Sequence, residues 1–183
     1  MPEQIVLVDD NNKPIGTAEK LSSHHSQTPL HRGFSCYVFN DKGQLLVTQR
    51  ALQKKVWPGV WTNTVCGHPA PGEDTVEAIK RRLDYELGMT AKDFQELLPD
   101  YRYKTPPFKG IIENELCPVY VARLASQPQP NPEEVEVLVW MSWQEYLQDV
   151  SADTANKYSY WCKDQLNQLQ KNHKFLAWTN GSL

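Results

Sequence analysis

The sequence predicts a mixed α/β (α+β) fold in which a mixed β-sheet is sandwiched between helices. Three observations support it: hairpin turns join short strands, an amphipathic helix follows at residues 74–88, and further strands and helices complete the chain. Because hairpins join antiparallel strands, a purely parallel sheet is excluded. With 183 residues, we expect one domain over residues 1–183, with its core at about 30–165.

The strands are predicted from short runs of apolar, β-branched and aromatic residues. The turn sequences Asn-Asn-Lys-Pro at 11–14 and Asn-Asp-Lys-Gly at 40–43 indicate two hairpins. The polar residues 20–30 and the segment 51–58 are expected to be irregular. The predicted strands are residues 5–8, 15–17, 33–40, 44–50, 61–65, 98–104, 111–124 and 135–139.

The stretch from residue 57 to 89 organises the chain, and it contains the best-defined helix. Asp74 or Thr75 can cap this helix, Gly88 suits its C-terminus, and apolar residues between them share one face. The preceding loop contains Cys66 and His68. A loop that leads into a helix with a charged face is a plausible place to hold a metal and a phosphate, and the charged residues are Glu73, Glu77, Arg81, Arg82 and Glu86.

Two further helices are predicted near the C-terminus. Ser142 and Glu145 form a capping-box pattern that opens a short helix. Apolar and aromatic residues at helical spacing predict another helix over residues 158–169. From about His173 onward, the sequence is expected to form a short tail.

Composition excludes several classes of function. The net charge is −3 and the basic residues are spread along the chain, so no block of positive charge indicates nucleic-acid binding. No apolar run is long enough to span a membrane, and the N-terminus lacks the pattern of a secretory signal. Four scattered cysteines with no Cys-x-x-Cys pair indicate reduced thiols, so we expect a cytoplasmic protein.

The central stretch resembles a Nudix box. Gly67, Glu73 and Arg81 have the spacing of that motif, and residues 82–89 follow as Arg-Leu-Asp-Tyr-Glu-Leu-Gly-Met. Arg82 and Tyr85 stand where the box has glutamates, and Glu86 alone is retained from the metal-binding cluster. This departure argues against ordinary diphosphate hydrolysis.

Residues 63–69, Asn-Thr-Val-Cys-Gly-His-Pro, resemble the cysteine motif of type I isopentenyl diphosphate isomerases. That family has a Nudix-like fold with an altered box, and the resemblance extends from about residue 20 to residue 161. It implies a Nudix-like mixed sheet between helices, with an N-terminal segment that supplies metal ligands. It also implies a small-molecule substrate, isopentenyl diphosphate, and the chain is expected to be a monomer or a homodimer.

Histidines and carboxylates are candidate metal ligands, but their spacing matches no compact metal motif. Alternate residues of the strand 111–124 share a face, which places Glu113 and Glu115 together. From this stretch alone, a solvated acidic edge is the alternative. The resemblance implies a site for Mn²⁺, Zn²⁺ or Mg²⁺ and excludes His25, and the implied ligands are His24, His31, His68, Glu113 and Glu115.

Cys66 is a candidate proton-transferring thiolate. A buried cysteine is more often inert packing, and that interpretation applies to Cys36, Cys117 and Cys162. For Cys66, a nearby metal and the following helix N-terminus are expected to lower the thiol pKa.

Basic and aromatic residues complete the predicted site, although both types are also common on surfaces and in cores. The resemblance implies that Glu86 holds a Mg²⁺ ion bridging to the diphosphate, and that Tyr103 and Trp161 line the hydrocarbon pocket. The implied diphosphate contacts are Lys20, Arg50, Lys54 and Arg82.

Together these residues imply a 1,3-allylic proton transfer that converts isopentenyl diphosphate to dimethylallyl diphosphate in isoprenoid biosynthesis. Glu115, with Tyr103 nearby, would protonate the alkene, Trp161 would stabilise the carbocation, and Cys66 would remove a proton from the opposite face. Three alternatives remain open: a Nudix hydrolase of diphosphates, a cysteine hydrolase, and a non-catalytic zinc-binding or interaction module.

Overall fold

The computed structural model describes residues 3–179, and its strands form two sheets. The smaller sheet has the order β2-β1-β3-β10-β9. Its strands are β1 Gln4–Val8, β2 Pro14–Glu19, β3 His31–Arg32, β9 Arg102–Lys104 and β10 Asn114–Leu116.

The larger sheet has the order β12-β5-β4-β11-β8, with β6 paired to β5 and β7 paired to β4. Its β4–β11 pair is parallel and its other pairs are antiparallel, so the predicted mixed sheet is confirmed. The strands are β4 Phe34–Phe39, β5 Gln44–Arg50, β6 Trp61–Thr62, β7 Val65–Gly67, β8 Ala91–Leu98, β11 Val119–Leu124 and β12 Val135–Ser142.

Helices cover both faces of the larger sheet. The whole of β4 is buried, because its side chains point alternately to the two faces of the sheet and both faces are covered. Phe34 packs in the cluster on one face and Tyr37 in the cluster on the other. Helix α2 covers one face, and the three C-terminal helices cover the other. The helices are α1 Lys20–Ser23, α2 Thr75–Leu87, α3 Trp143–Ser151, α4 Tyr160–Leu169 and α5 His173–Thr179. Across residues 3–179, none of them combines the length and apolar character needed to cross a bilayer.

Two extended segments run side by side through both sheets. β3 and β4 form the first, β10 and β11 form the second, and both pairings between them are parallel. Gly33 N–H donates to Leu116 O (2.8 Å) and Ser35 N–H donates to Pro118 O (3.1 Å), so the segments stay paired where they pass from one sheet to the other. Polar residues from both segments therefore meet at this junction.

The capping predictions are confirmed. Asp74 Oδ1 accepts a hydrogen bond from Val76 N–H (2.8 Å), and Gly88 ends α2 at a φ of 55°. Ser142 and Glu145 form the capping box of α3. The last predicted helix begins two residues later than expected, at Tyr160, because Ser159 caps it.

Several strand and loop predictions are wrong in detail. The predicted strand 111–124 is interrupted at Pro118, which has no N–H to donate, and the strand 61–65 divides around Asn63 and Thr64. Strand β8 was not predicted, because its charged and polar residues mask the alternation expected of a strand. The segment 20–30 was expected to be irregular but begins with the short helix α1.

The predicted tail is also corrected. Residues 173–179 form helix α5, and Phe175 and Trp178 are buried against the face of the larger sheet that α3 and α4 cover. The end of the expected tail, residues 180–183, lies outside the described residues. The C-terminal segment therefore contributes to the core.

Replacing Phe175 by alanine is expected to lower the free energy of unfolding by about 3–5 kcal/mol, the usual range for a buried Phe→Ala change. Phe175 is 0% exposed, whereas its neighbour Leu176 is 38% exposed and provides the matched control. Urea unfolding of both variants measures the difference. Equal destabilisation by Phe175→Ala and Leu176→Ala would contradict the role given to α5.

Candidate active site

A cavity of about 70 Å³ opens where the two sheets meet. It is lined by every site residue predicted from the sequence except His31, which lies behind it and contacts Glu115. Residues far apart in the chain are therefore brought together as predicted. The lining includes Lys20, His24, Arg50, Lys54, Cys66, His68, Arg82, Glu86, Tyr103, Glu113, Glu115 and Trp161.

Three histidines and one glutamate form a buried cluster within this site. His68 Nε2 lies 3.1 Å from Glu115 Oε1, and His31 Nε2 lies 3.6 Å from the same oxygen. One nitrogen or oxygen from each of His24, His31, His68 and Glu115 falls within 4.8 Å of the others. Glu113 adjoins this group through His24, with 3.2 Å between Glu113 Oε2 and His24 Nε2. Both carboxylates are buried, so the alternative of a solvated acidic edge is wrong.

The hydrogen bonds of two histidines turn their Nε2 atoms toward the cluster. His24 Nδ1 contacts Lys20 O (2.5 Å) and His31 Nδ1 contacts Pro29 O (2.9 Å). A carbonyl oxygen only accepts, so each Nδ1 is the donor, and in the neutral ring each Nε2 carries a lone pair.

The cluster contains buried polar atoms without a hydrogen-bond partner among the described residues, including His31 Nε2 and Glu113 Oε2. Leaving such atoms unsatisfied costs about 1–3 kcal/mol each, and a divalent ion bound there would satisfy them. Neutral imidazole nitrogens and carboxylate oxygens are suitable donors for such an ion. The cluster can therefore hold a divalent metal.

The pKa shifts of His68 and Glu115 agree with ligand chemistry, whereas the shift of His24 favours a charged ring that must lose its proton to bind a metal. Burial lowers the pKa of His68 to about 3, so this ring is neutral. Burial alone would raise the pKa of Glu115, but the imidazole rings of His31 and His68 beside it hold that pKa well below its usual range. For His24, burial favours a lower pKa, but the Glu113 carboxylate beside the ring outweighs burial and raises the pKa.

The strand junction explains why these groups converge. Glu115 of β10 pairs directly with His31 of β3 in the parallel ladder, and with Tyr103 of β9 on its other side. A side chain at Gly33 would collide with Glu115, because a Cβ there would lie 2.1 Å from Oε2. Gly33 therefore gives the carboxylate its space.

Replacing Gly33 by alanine is expected to displace the Glu115 carboxylate and weaken metal binding by about tenfold or more. Calorimetric titration with Zn²⁺ and Mn²⁺ measures the loss. Gly16→Ala is the matched control, because nothing lies within 4 Å of a Cβ built at that strand glycine. Wild-type affinity in the Gly33→Ala protein would show that Glu115 does not bind the ion.

Cys66, in β7, is half-buried and lines the cavity. Its Sγ donates to Asn63 Oδ1 (3.0 Å) and lies 3.4 Å from Ser35 Oγ. Burial, reinforced by nearby Cys162, raises the pKa of the Cys66 thiol to about 12. This direction is opposite to the lowered pKa expected from the sequence, because α2 begins only at Thr75 and the thiol is enclosed by protein.

A buried chain of hydrogen bonds from α4 ends at Cys66. Tyr37 O–H donates to Gln165 Oε1 (2.9 Å), and Gln165 Nε2 donates to Ser35 Oγ (2.9 Å). The Ser35 hydroxyl hydrogen then remains available for the sulfur of Cys66 or Cys117. No local sequence pattern indicates Ser35 or Gln165, whereas Asn63 lies within the cysteine motif.

Tyr103 and Trp161 form an aromatic wall. Their ring centroids are 6.0 Å apart, and Trp161 Nε1 donates to Thr62 Oγ1 (3.0 Å), which fixes the orientation of the indole ring. Both side chains are buried, as expected for a pocket that accommodates an apolar group.

A second cavity of about 330 Å³ adjoins the first and shares its four predicted phosphate-binding cations. Three of these cations already contact carboxylates. Lys20 pairs with Glu3 (2.9 Å), Lys54 pairs with Glu134, and Arg82 contacts both Glu86 and Glu134. The fourth, Arg50, donates to the backbone oxygens of Val56 and Trp57.

Two other residues of the box-like motif support the loop. Arg81 Nε and Nη2 each lie 2.7 Å from a carboxylate oxygen of Glu73, and Arg81 Nη2 also donates to His68 O (3.2 Å). Arg81 therefore stabilises the loop that carries His68 and is absent from the lining of either cavity.

Comparisons with known proteins agree with this architecture. A model of the NUDIX domain matches residues 29–162, so the chain belongs to the NUDIX domain family. The crystal structure of a protein from Deinococcus radiodurans superposes with a TM-score of 0.69 at 19% identity, covering 91% of this chain and 98% of that one. A MutT NUDIX hydrolase from Burkholderia pseudomallei superposes with a TM-score of 0.58 at 21% identity, covering 76% and 97%.

Closer relatives narrow the assignment. An isopentenyl-diphosphate Delta-isomerase from Saccharopolyspora erythraea is 50% identical over 167 residues, which cover 91% of this chain and 86% of the relative. Another from Salmonella typhi is 47% identical over 174 residues, which cover 95% and 96%. Within the NUDIX family, the chain therefore belongs to the isopentenyl-diphosphate Delta-isomerases.

Proposed function

We propose that this protein interconverts isopentenyl diphosphate and dimethylallyl diphosphate by a 1,3-allylic proton transfer. The observation that carries the proposal is that Cys66, Glu115, Tyr103 and Trp161 line one small cavity, adjacent to a larger cationic one. A proton donor, a proton acceptor and an aromatic face are the groups that this reaction requires.

The two cavities suit the two ends of the substrate. The diphosphate would occupy the larger cavity and contact Lys20, Arg50, Lys54 and Arg82, whose side chains can donate to phosphate oxygens. The five-carbon group would then enter the smaller cavity. Binding energy from the diphosphate would orient the alkene for a reaction several bonds away.

Proton transfer would begin at the terminal alkene carbon. Because its low pKa keeps the Glu115 carboxylate ionised at rest, Glu115 would first take up a proton from solvent and then deliver that proton to the alkene. Tyr103 would lie beside it as a neutral phenol, since burial raises the pKa of Tyr103 well above its usual value. The resulting tertiary cation would lie near the face of Trp161, where cation–π attraction contributes about 2 kcal/mol when water is excluded. Cys66 would remove a proton from the carbon next to the one bearing the diphosphate, which restores a double bond.

The residues fit two divalent ions. His24, His31, His68, Glu113 and Glu115 would hold Mn²⁺, Zn²⁺ or Mg²⁺, and Glu86 would hold a Mg²⁺ ion that accompanies the diphosphate. When bound, the positive charge of the first ion would increase the acidity of adjacent groups, including the Cys66 thiol that burial alone keeps protonated.

Hydrolysis fits the site less well. In α2, Arg82 and Glu86 are buried and hydrogen-bonded to each other (2.8 Å), so the box offers one carboxylate beside a guanidinium where two-metal displacement needs several carboxylates. A cysteine hydrolase also fits poorly, because Cys66 contacts Asn63 and Ser35, whereas His68 Nε2 contacts Glu115.

We also infer that the protein works in isoprenoid biosynthesis in the cytoplasm. All four cysteines are free thiols, and the proposed role of Cys66 requires a compartment that keeps thiols reduced. The expectation that the chain is a monomer or a homodimer stays a prediction, and its mass in solution tests it.

Proton NMR of isopentenyl diphosphate in D₂O, with Mg²⁺ and Mn²⁺ or Zn²⁺ supplied, tests the proposal. The wild type is expected to form dimethylallyl diphosphate and to introduce deuterium into its methyl group. Cys66→Ala and Glu115→Gln are expected to lower the rate by about 10³-fold, within the range for loss of a general acid or base.

Cys36→Ala is the matched control, because Cys36 is a buried cysteine that packs on the α2 side of the sheet. It should retain isomerisation. Phosphate release without isomerisation would instead support a hydrolase, and unaltered rates in both Cys66→Ala and Glu115→Gln would exclude the proposed acid–base pair.

A further inference from the structure

The cationic cavity contains a carboxylate for which the reaction as proposed has no use. Glu134 Oε2 accepts from Lys54 Nζ and from Arg82 Nη2 (3.3 Å), and its side chain is only 14% exposed. Both cations are ones that the diphosphate would contact. Glu134 therefore engages two cations that a bound diphosphate would need as donors.

The backbone holds Glu134 at this position. Its N–H donates to Asn131 O (3.0 Å) and its carbonyl accepts from Ala51 N–H (3.0 Å), so the residue is fixed on both sides immediately before β12. Burial alone would raise the pKa of Glu134, but the hydrogen bond and charge of Lys54 hold it below its usual value, so the carboxylate is ionised. An incoming diphosphate would face a fixed negative charge.

Arg82 links this carboxylate to a second one. Glu86 Oε1 lies 2.6 Å from Arg82 Nη2, the same nitrogen that contacts Glu134. A divalent cation that arrives with the diphosphate would give the two carboxylates a new partner. Lys54 and Arg82 could then turn to phosphate oxygens without leaving an uncompensated negative charge.

We propose that Glu134 makes diphosphate binding dependent on a divalent cation, by competing with the metal-free anion for Lys54 and Arg82. This inference rests on the proposed function, because it takes the cationic cavity as the diphosphate site. Glu134 thereby selects the magnesium complex of the substrate over the free diphosphate.

The test uses inorganic pyrophosphate as the probe. It is titrated calorimetrically into the full chain twice, once with Mg²⁺ present and once without any divalent cation in solution. In the wild type, Mg²⁺ is expected to tighten binding strongly. Glu134→Gln keeps the shape of the side chain and removes its charge, so metal-free binding should tighten by about tenfold or more, as expected for one charge interaction in a partly buried cavity. The effect of Mg²⁺ should shrink by the same factor.

Glu133→Gln is the matched control. Glu133 is an exposed neighbour that lines the same cavity, and within residues 3–179 it takes part in no ion pair. It should leave both affinities within about twofold of the wild type. Glu134→Ala, checked for folding by thermal unfolding, should repeat the Glu134→Gln result if the lost charge is the cause.

Unaltered metal-free binding in Glu134→Gln would overturn the inference, and so would weaker binding by that variant both with and without Mg²⁺. Equal tightening in Glu133→Gln would also overturn it, because it would show that any lost negative charge near the cavity has the same effect. If the wild type binds no pyrophosphate even with Mg²⁺, the diphosphate site of the proposed function fails, and the inference fails with it. Pyrophosphate binding by the wild type with Mg²⁺ thus distinguishes failure of the diphosphate site from failure of the role given to Glu134.

Discussion

Burying the Glu115 carboxylate among three imidazole rings is the constraint on which the rest of the structure depends. This residue is only 6% exposed, and an isolated charge so buried would cost several kcal/mol. The contact with His68 Nε2 (3.1 Å) and the nearby imidazole of His31 (3.6 Å) offset part of this cost, and the parallel pairing of β3 with β10 holds Glu115 beside His31. Gly33 leaves space for the carboxylate. Atoms that still lack partners give the cluster its capacity for a divalent ion.

The cationic cavity follows a related rule, since its charges are paired before a substrate arrives. Glu3, Glu86 and Glu134 contact Lys20, Lys54 and Arg82. A phosphate that bound there would therefore have to exchange with protein carboxylates. In the NUDIX hydrolase box, a glutamate precedes the retained one by four residues. Here Arg82 fills that position, so the same helical face presents a guanidinium next to a carboxylate.

Local signals explain which features could be predicted from the sequence. Asp74, Gly88 and the Ser142 capping box act within a few residues, so the helix ends they define were predictable. The cysteine motif led to the site through family resemblance, and of the residues that the resemblance implied, all but His31 line the cavity. Helix α5, Gln165 and Glu134 depend on contacts with distant parts of the chain, so their sequence context gave no indication of them.

The central claim is that three histidines and at least one carboxylate share a single ion. X-ray absorption spectroscopy of the Zn²⁺-loaded protein tests this claim most directly. The account predicts the scattering pattern of imidazole ligands, with nitrogen and oxygen atoms at about 2.0–2.2 Å and no sulfur. A sulfur scatterer at about 2.3 Å would make Cys66 a metal ligand rather than a base. Such a result, or a spectrum without imidazole scattering, would contradict the account.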